Sequence, residues 1–159
     1  MALAQKPSDL PTFDEMLAIS GREFMERVLR GEISQPPIGG ALNYRLVEVG
    51  DGRVALRGTP EFEHTNPMGT LHGGWYGTLL DSCMACAVMT LVPQGSYYTT
   101  LEYKINITRG IPLGLEIEAI GEVDHVGRST GVSHGQIRGV QDGKLYATGS
   151  TTCIIMKHG

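Results

Sequence analysis

Asp81 is the only charged residue between Trp75 and Val92, in a run that reads WYGTLLDSCMACAVMTLV. A carboxylate among Leu79, Leu80 and Met84 is costly to bury unless it is paired, hydrogen-bonded or protonated. It is therefore either a helix-surface acid on a polar edge or a general base or nucleophile in a cleft. Eight positions upstream, a little over two helical turns, stands the pair Gly73-Gly74. That pair reads as a plain turn, or as a helix mouth whose free N–H groups, backed by the dipole, polarise a carbonyl oxygen. His72 alone suits a structural hydrogen bond at least as well as catalysis, and Asn66 before Pro67 suits a turn.

Other chemistry can be set aside by position. Cys83 and Cys86 form a CxxC, but a redox pair sits at a helix start, where the dipole lowers the thiolate pKa. Here the pair falls about ten residues into the helix, and only Cys153 is left to complete a zinc site. Core packing is the expected role. The five histidines make no HxxxH or HExxH pattern, so no metal is expected, and neither GxSxG nor a Walker loop occurs.

These residues need a scaffold. The helix is expected over 73–91, with glycine at its mouth and Pro93 as its stop. It is apolar around almost its whole circumference, which means a buried helix. At that length it could barely span a bilayer, and Asp81 with the opening glycines argues against it. Upstream, Thr12 with Glu15 and Ser20 with Glu23 are capping-box patterns that open two short amphipathic helices. Phe24, Met25, Val28 and Leu29 form the apolar face of the second, and Gly31 ends it. Residues 34–40, rich in Pro and Gly, read as a linker. Residues 41–49 and 53–60 read as a hairpin around Gly50-Asp51-Gly52.

Four extended runs follow the helix, at 96–108, 113–126, 129–140 and 144–156, and are expected to form an antiparallel meander. The first alternates, with Leu101, Tyr103, Ile105 and Ile107 on one face and Glu102, Lys104 and Asn106 on the other. The fold class is α+β, an antiparallel sheet around one long central helix with an N-terminal helical extension. Residues 1–38 are expected to be tail and extension, and 39–159 the domain proper.

The 159 residues suit one domain, and a net charge of −4 offers nothing to attract nucleic acid. MALAQKPSDLPTF has no continuous apolar stretch, so no secretory signal is expected. Three cysteines suit a reducing compartment better than a disulfide framework, which places the protein in the cytoplasm, off the membrane.

Taken together, Asn66-Pro67-x-Gly69-x-x-His72-Gly73-Gly74 followed by Asp81 resembles the PaaI-like, 4-hydroxybenzoyl-CoA thioesterase-type branch of the hotdog-fold acyl-CoA thioesterases. The resemblance extends over roughly residues 40–156, including Gly127-Arg128 and Gly143-x-Leu145-x-Ala147-x-Gly149. It implies a hotdog fold that assembles as a homodimer or homotetramer, a dimer of dimers, with active sites at the dimer interface. The implied substrate is an aryl- or medium-chain acyl-CoA. Coenzyme A enters as part of that substrate, and no separate cofactor is implied.

By the same resemblance, Asp81 of one subunit activates water, or attacks directly, at a thioester held by the Gly73 N–H of the other. Asn66 and His72 orient the thioester or the water, and Thr100 falls where relatives hold the lytic water. Trp75, Tyr76 and Leu80 are expected around the acyl group, and Gly74, Arg128 and Ser129 among the residues that bind the substrate or its CoA. A hotdog enoyl-thioester hydratase and a non-catalytic acyl-CoA sensor are the competing readings. The first lacks its usual His–carboxylate spacing here, and the second would not need Asp81.

Overall fold

Thr12 and Ser20 both cap helices in the computed structural model, which describes residues 2–158. Thr12 Oγ1 accepts from the Glu15 N–H at 3.3 Å, and the Glu15 carboxylate reaches back to the Thr12 N–H at 2.7 Å, closing a capping box at the start of α1 (Phe13–Leu17). At α2 (Gly21–Arg30) only half of the expected box forms. Ser20 Oγ accepts from Glu23 N–H at 3.2 Å, but the Glu23 carboxylate turns to the Arg27 guanidinium at 2.7 Å. Gly31, in the left-handed region at φ 79°, ends α2. The expected linker contains a helical turn, α3 (Pro37–Ala41), because Pro37 at the first helical position is pre-set for it.

The hairpin forms as expected from β1 (Tyr44–Gly50) and β2 (Arg53–Gly58), with Gly50 opposite Arg53 across the Asp51-Gly52 turn. The central helix α4 spans Gly73–Met89. It is followed by β3 (Ser96–Ile107), β4 (Ile117–Val126), β5 (Thr130–Gly139) and β6 (Leu145–Lys157). The strand order is β1-β2-β4-β5-β6-β3, antiparallel throughout. The expected four-strand meander is thus a three-strand one, since β3 pairs with β6 and β4 adds to β2. The connection from β3 to β4 carries the chain between these places. It is held by Thr108 and Arg109 N–H groups on the Tyr146 carbonyl at 2.9 and 3.2 Å.

The sheet curls around α4. Leu79, Leu80, Cys83 and Met84 of the helix are fully buried in one core with Val54, Ile117, Ala119, Ile137 and Ala147 of the strands, and Val88 packs in a second cluster with Cys153 and Ile155 of β6. Each such aliphatic side chain contributes about 1.5–3 kcal/mol by leaving water. The close approach depends on Gly121, where a Cβ would run into the Cys83 carbonyl. On the side of α4 that the sheet leaves open lies α2, with Met25 and Val28 buried in the same core. The Gly21 N–H bonds the Val92 carbonyl at 3.0 Å, and any side chain at Gly21 would collide with the backbone of Met89. Gln94 Nε2 donates to the Ala18 carbonyl at 2.8 Å, and the Gly95 N–H to Leu17 at 3.0 Å. No helix among the described residues is long and apolar enough to cross a membrane.

Candidate active site

α4 runs alongside β3, the edge strand, in the opposite direction. A Cβ at Gly73 would touch Ile107, one at Gly77 would touch Tyr103, and Asp81 bonds Thr100. The last of these contacts depends on an irregularity. Strict alternation places Thr100 on the face of Glu102 and Lys104, away from Tyr103 and Ile105. A β-bulge at Leu101 breaks the period: Thr100 pairs with Cys153, while Glu102 pairs with the next residue, Thr152. Thr100 therefore faces the helix together with Tyr103, Ile105 and Ile107. Its Oγ1 donates to Asp81 Oδ1 at 3.0 Å, leaving Oδ2 unengaged by protein among the described residues.

Asp81 is half-buried. Burial lifts its carboxyl above the ordinary aspartic acid value, and the Thr100 hydroxyl pulls partly the other way by bonding the ionised form. The carboxylate opens on a cleft of about 390 Å³, walled by Ser82 and Cys86 of α4, Tyr98 of β3 and Phe24 of α2. Sequence reasoning missed these wall residues. Phe24 is visible beforehand only as part of an apolar helix face, with nothing to say what that face meets. Cys86 is no nucleophile there, because burial pushes its thiol up to about 11. Cys83 is shifted still further for the same reason, so the CxxC packs rather than reacts.

At the mouth of α4, His72 is the N-cap and its Nδ1 accepts the Gly74 N–H at 2.9 Å. In the neutral ring that bond puts the proton on Nε2, and the residue is exposed. The Gly73 N–H has no partner among the described residues. His72 thus occupies one of the two glycine donors and leaves the other open. Asn66 is engaged in its own loop. Its Oδ1 accepts from the N–H groups of Met68 at 2.9 Å and Thr70 at 3.3 Å, and its Nδ2 donates to Thr70 Oγ1 at 2.8 Å.

The other candidates lie elsewhere. Trp75, Tyr76 and Leu80, expected around the acyl group, are interior residues absent from the cleft wall. Trp75 Nε1 donates to the Leu42 carbonyl at 3.0 Å, and the Tyr76 hydroxyl accepts from the Ile111 N–H at 2.8 Å, so both polar handles serve the scaffold. Gly74 is exposed at the helix mouth. Arg128 and Ser129 are exposed in the β4–β5 turn, and Arg128 makes no ion pair among the described residues. That turn lies at the cleft end of the sheet, because the Ser129 carbonyl accepts from Ile155, which pairs with Tyr98. No group of three or more His, Cys, Asp or Glu side chains able to hold a metal ion occurs among the described residues.

Comparison with known proteins identifies the family. The thioesterase superfamily model matches residues 68–146, a span holding the helix mouth, Asp81 and Thr100. Human acyl-coenzyme A thioesterase 13 is 30% identical over 107 residues, covering 67% of this chain and 76% of that protein. A solved phenylacetic acid degradation-related protein from Ralstonia eutropha superposes with a TM-score of 0.74 at 28% identity, covering 82% of this chain and 98% of that one. A variant of PaaI, the phenylacetic acid degradation protein of Thermus thermophilus, does so with a TM-score of 0.67 at 25% identity, covering 74% and 97%. The sheet wrapped around one long helix is the hotdog fold, and this chain belongs to the thioesterase superfamily, in its PaaI-like branch, as a thioester hydrolase.

Proposed function

We propose that the chain hydrolyses acyl-CoA thioesters to free acid and CoA, with each active site assembled from two copies. The relationship to acyl-coenzyme A thioesterase 13 supports CoA as the thiol. The observation that carries the rest is the spacing along α4. An open N–H at Gly73 and a carboxylate at Asp81 are eight residues apart, or about 12 Å at 1.5 Å per residue. Within one chain that is too far for both to act on one carbonyl. Brought together from two copies, they are a donor and a base on either side of it.

Asp81 Oδ2 takes a proton from water as the water oxygen bonds to the thioester carbon. Thr100 holds the other carboxylate oxygen still. The developing oxyanion is received by the Gly73 N–H of the second copy, at the positive end of its helix. Collapse of the tetrahedral adduct breaks the carbon–sulfur bond, and the departing CoA sulfur takes up the proton held by Asp81, which restores the carboxylate. His72 fixes the helix mouth by occupying the Gly74 N–H, and Asn66 shapes the loop that leads into it. Gly74, Arg128 and Ser129, all exposed, are the groups offered to the CoA moiety.

β3 is where the second copy docks. It is a sheet edge with Leu101, Tyr103 and Ile107 exposed at 59%, 47% and 46%, an apolar edge that a soluble monomer would not leave bare.

The test is free-thiol release from butanoyl- to palmitoyl-CoA, benzoyl-CoA and phenylacetyl-CoA, run beside loss of enoyl absorbance with crotonyl-CoA. Thiol release without crotonyl-CoA hydration is expected; hydration alone would overturn the assignment. Shared sites are tested by mixing Asp81→Asn with Gly73→Pro. Proline suits the first helical position, and His72 already holds the extended backbone a following proline requires, so the helix start is kept while the N–H is lost and the added ring meets Ile107 at ordinary contact distance. Each variant alone is expected to be inactive, and a re-equilibrated equimolar mixture to recover about a quarter of the wild-type sites, since half the dimers are mixed and each carries one intact site. No recovery on mixing would place both groups within one chain.

A further inference from the structure

The cleft at Asp81 does not end at Phe24. A second apolar hollow of about 380 Å³ runs along α2, opening to solvent at Leu10 and Ile38 and reaching inward to Leu46 of β1 and Leu56 of β2. Phe24, Met16, Met89 and Tyr98 border both chambers, so they form the passage between them. The polar groups along the way are already satisfied: Tyr44 and Ser82 hydroxyls bond each other at 3.2 Å, and no buried side-chain nitrogen or oxygen among the described residues lacks a partner. An apolar hollow open to water is unfavourable to leave wet, and an alkyl chain laid in it removes that surface from water. α2 cannot simply settle into the space, because it is clamped at Gly21 against the backbone of Met89 and Val92.

Resting on the thioesterase reading above, we infer that the inner chamber receives the far end of a linear alkyl tail. The tail enters beside Asp81, passes Phe24 and lodges beneath α2, so the N-terminal extension sets the chain length. An unbranched chain is narrow enough to thread the passage. The Met16 and Met89 thioethers, flexible and unbranched, can adapt around it. Phe24 and Met16 are specificity residues and touch no reacting atom.

The test is kcat/KM across butanoyl-, octanoyl-, dodecanoyl- and palmitoyl-CoA for wild type, Phe24→Ala and Phe24→Trp. Each methylene drawn from water is expected to raise kcat/KM about fourfold until the cavity is full. Phe24→Trp should block the passage and lower the dodecanoyl-to-butanoyl ratio at least about tenfold, while Phe24→Ala should raise the palmitoyl-to-octanoyl ratio by a similar factor. Butanoyl-CoA turnover in each variant reports a folded site, and it is expected to change less than that of dodecanoyl-CoA, whose tail extends past Phe24. If either variant fails to fold, Met16→Trp narrows the same passage from α1. Unchanged ratios with butanoyl-CoA still hydrolysed would overturn the inference and leave the thioesterase reading standing. If no ester released thiol in any protein, that reading would fail instead. The inference would then be decided by calorimetric binding of butyl- and dodecyl-CoA thioethers, where loss of the chain-length gain in Phe24→Trp supports it and an unaltered gain sinks it.

Discussion

The two edges of the sheet are finished in opposite ways. At β1 the chain covers itself: α2 packs over the strand and Leu46 is only 4% exposed. At β3 the second half of the strand stays bare, with Leu101 and Tyr103 largely in solvent and only the glycine-bearing side of α4 beside it. One edge is thus completed within the fold, and on the proposed assembly the other is completed by a second copy. That bare edge is also the one along which Gly73 and Asp81 lie, so on this reading chemistry and association share a strand.

The sharpest break in this comparison is the same charge placed at each edge. Leu46→Lys buries an unpaired ammonium and is expected to leave no cooperative melting transition. Leu101→Lys with Tyr103→Lys should keep the fold by circular dichroism, sediment as a monomer, and lose at least about 10²-fold in kcat/KM because the donor and base no longer meet. A monomer that remained fully active would refute the shared site. Asp81→Asn should cost at least about 10² in kcat with the assembly intact.

The self-covered side is probed by Gly21→Ala. Its methyl has no room against Met89, so α2 must lift at a cost of about 1–3 kcal/mol. For a chain of this size that lowers Tm by about 2–4 °C for each kcal/mol. An unchanged melting curve would mean α2 is not clamped there.

Smaller effects come from the carboxylate itself. Thr100→Val removes a donor that favours the ionised form, so Asp81 holds its proton to higher pH. The acidic limb of the kcat/KM profile should move upward, with kcat down about tenfold. A limb that stays in place would separate Thr100 from the titrating group. The stability effect of Asp81 runs against its use. With its folded pKa above the unfolded one, its favourable contribution is present below the unfolded value and is lost as pH rises through the folded value. At neutral pH the charge is therefore a burden, and Asp81→Asn should melt a few degrees higher there, with the gain vanishing in acid.

Much of this was legible in the residues because local signals and global packing agree. The Thr12 and Ser20 caps, the Gly31 stop, the Asp51-Gly52 turn and the long apolar helix all have short-range causes. The pairing of β3 with β6 had none, since alternation assigns faces to a strand but not neighbours. The positions of Trp75, Tyr76 and Leu80 were hidden for a related reason. A helix apolar on every side does not say which side meets sheet, α2 or cavity. The inner chamber, walled from α1, α2, α4 and three strands, has no sequence signature at all.

The extra residue at Leu101 has a further consequence. It divides β3 into two stretches that are out of phase, one presenting Thr100 to the acid and the other presenting Tyr103, Ile105 and Ile107 toward the helix mouth. Neither stretch could change its facing without the other if the strand kept a strict beat of two. The inserted residue acts as a clutch between them. Deleting Leu101 would set Thr100 and Glu102 side by side opposite Cys153 and Thr152, which are already consecutive, so a single rhythm would run along the strand with the hydroxyl still toward Asp81 and every side chain from Glu102 onward where it is. Flattening the bulge with Leu101 still in place is what would turn Thr100 away and silence the acid without touching it.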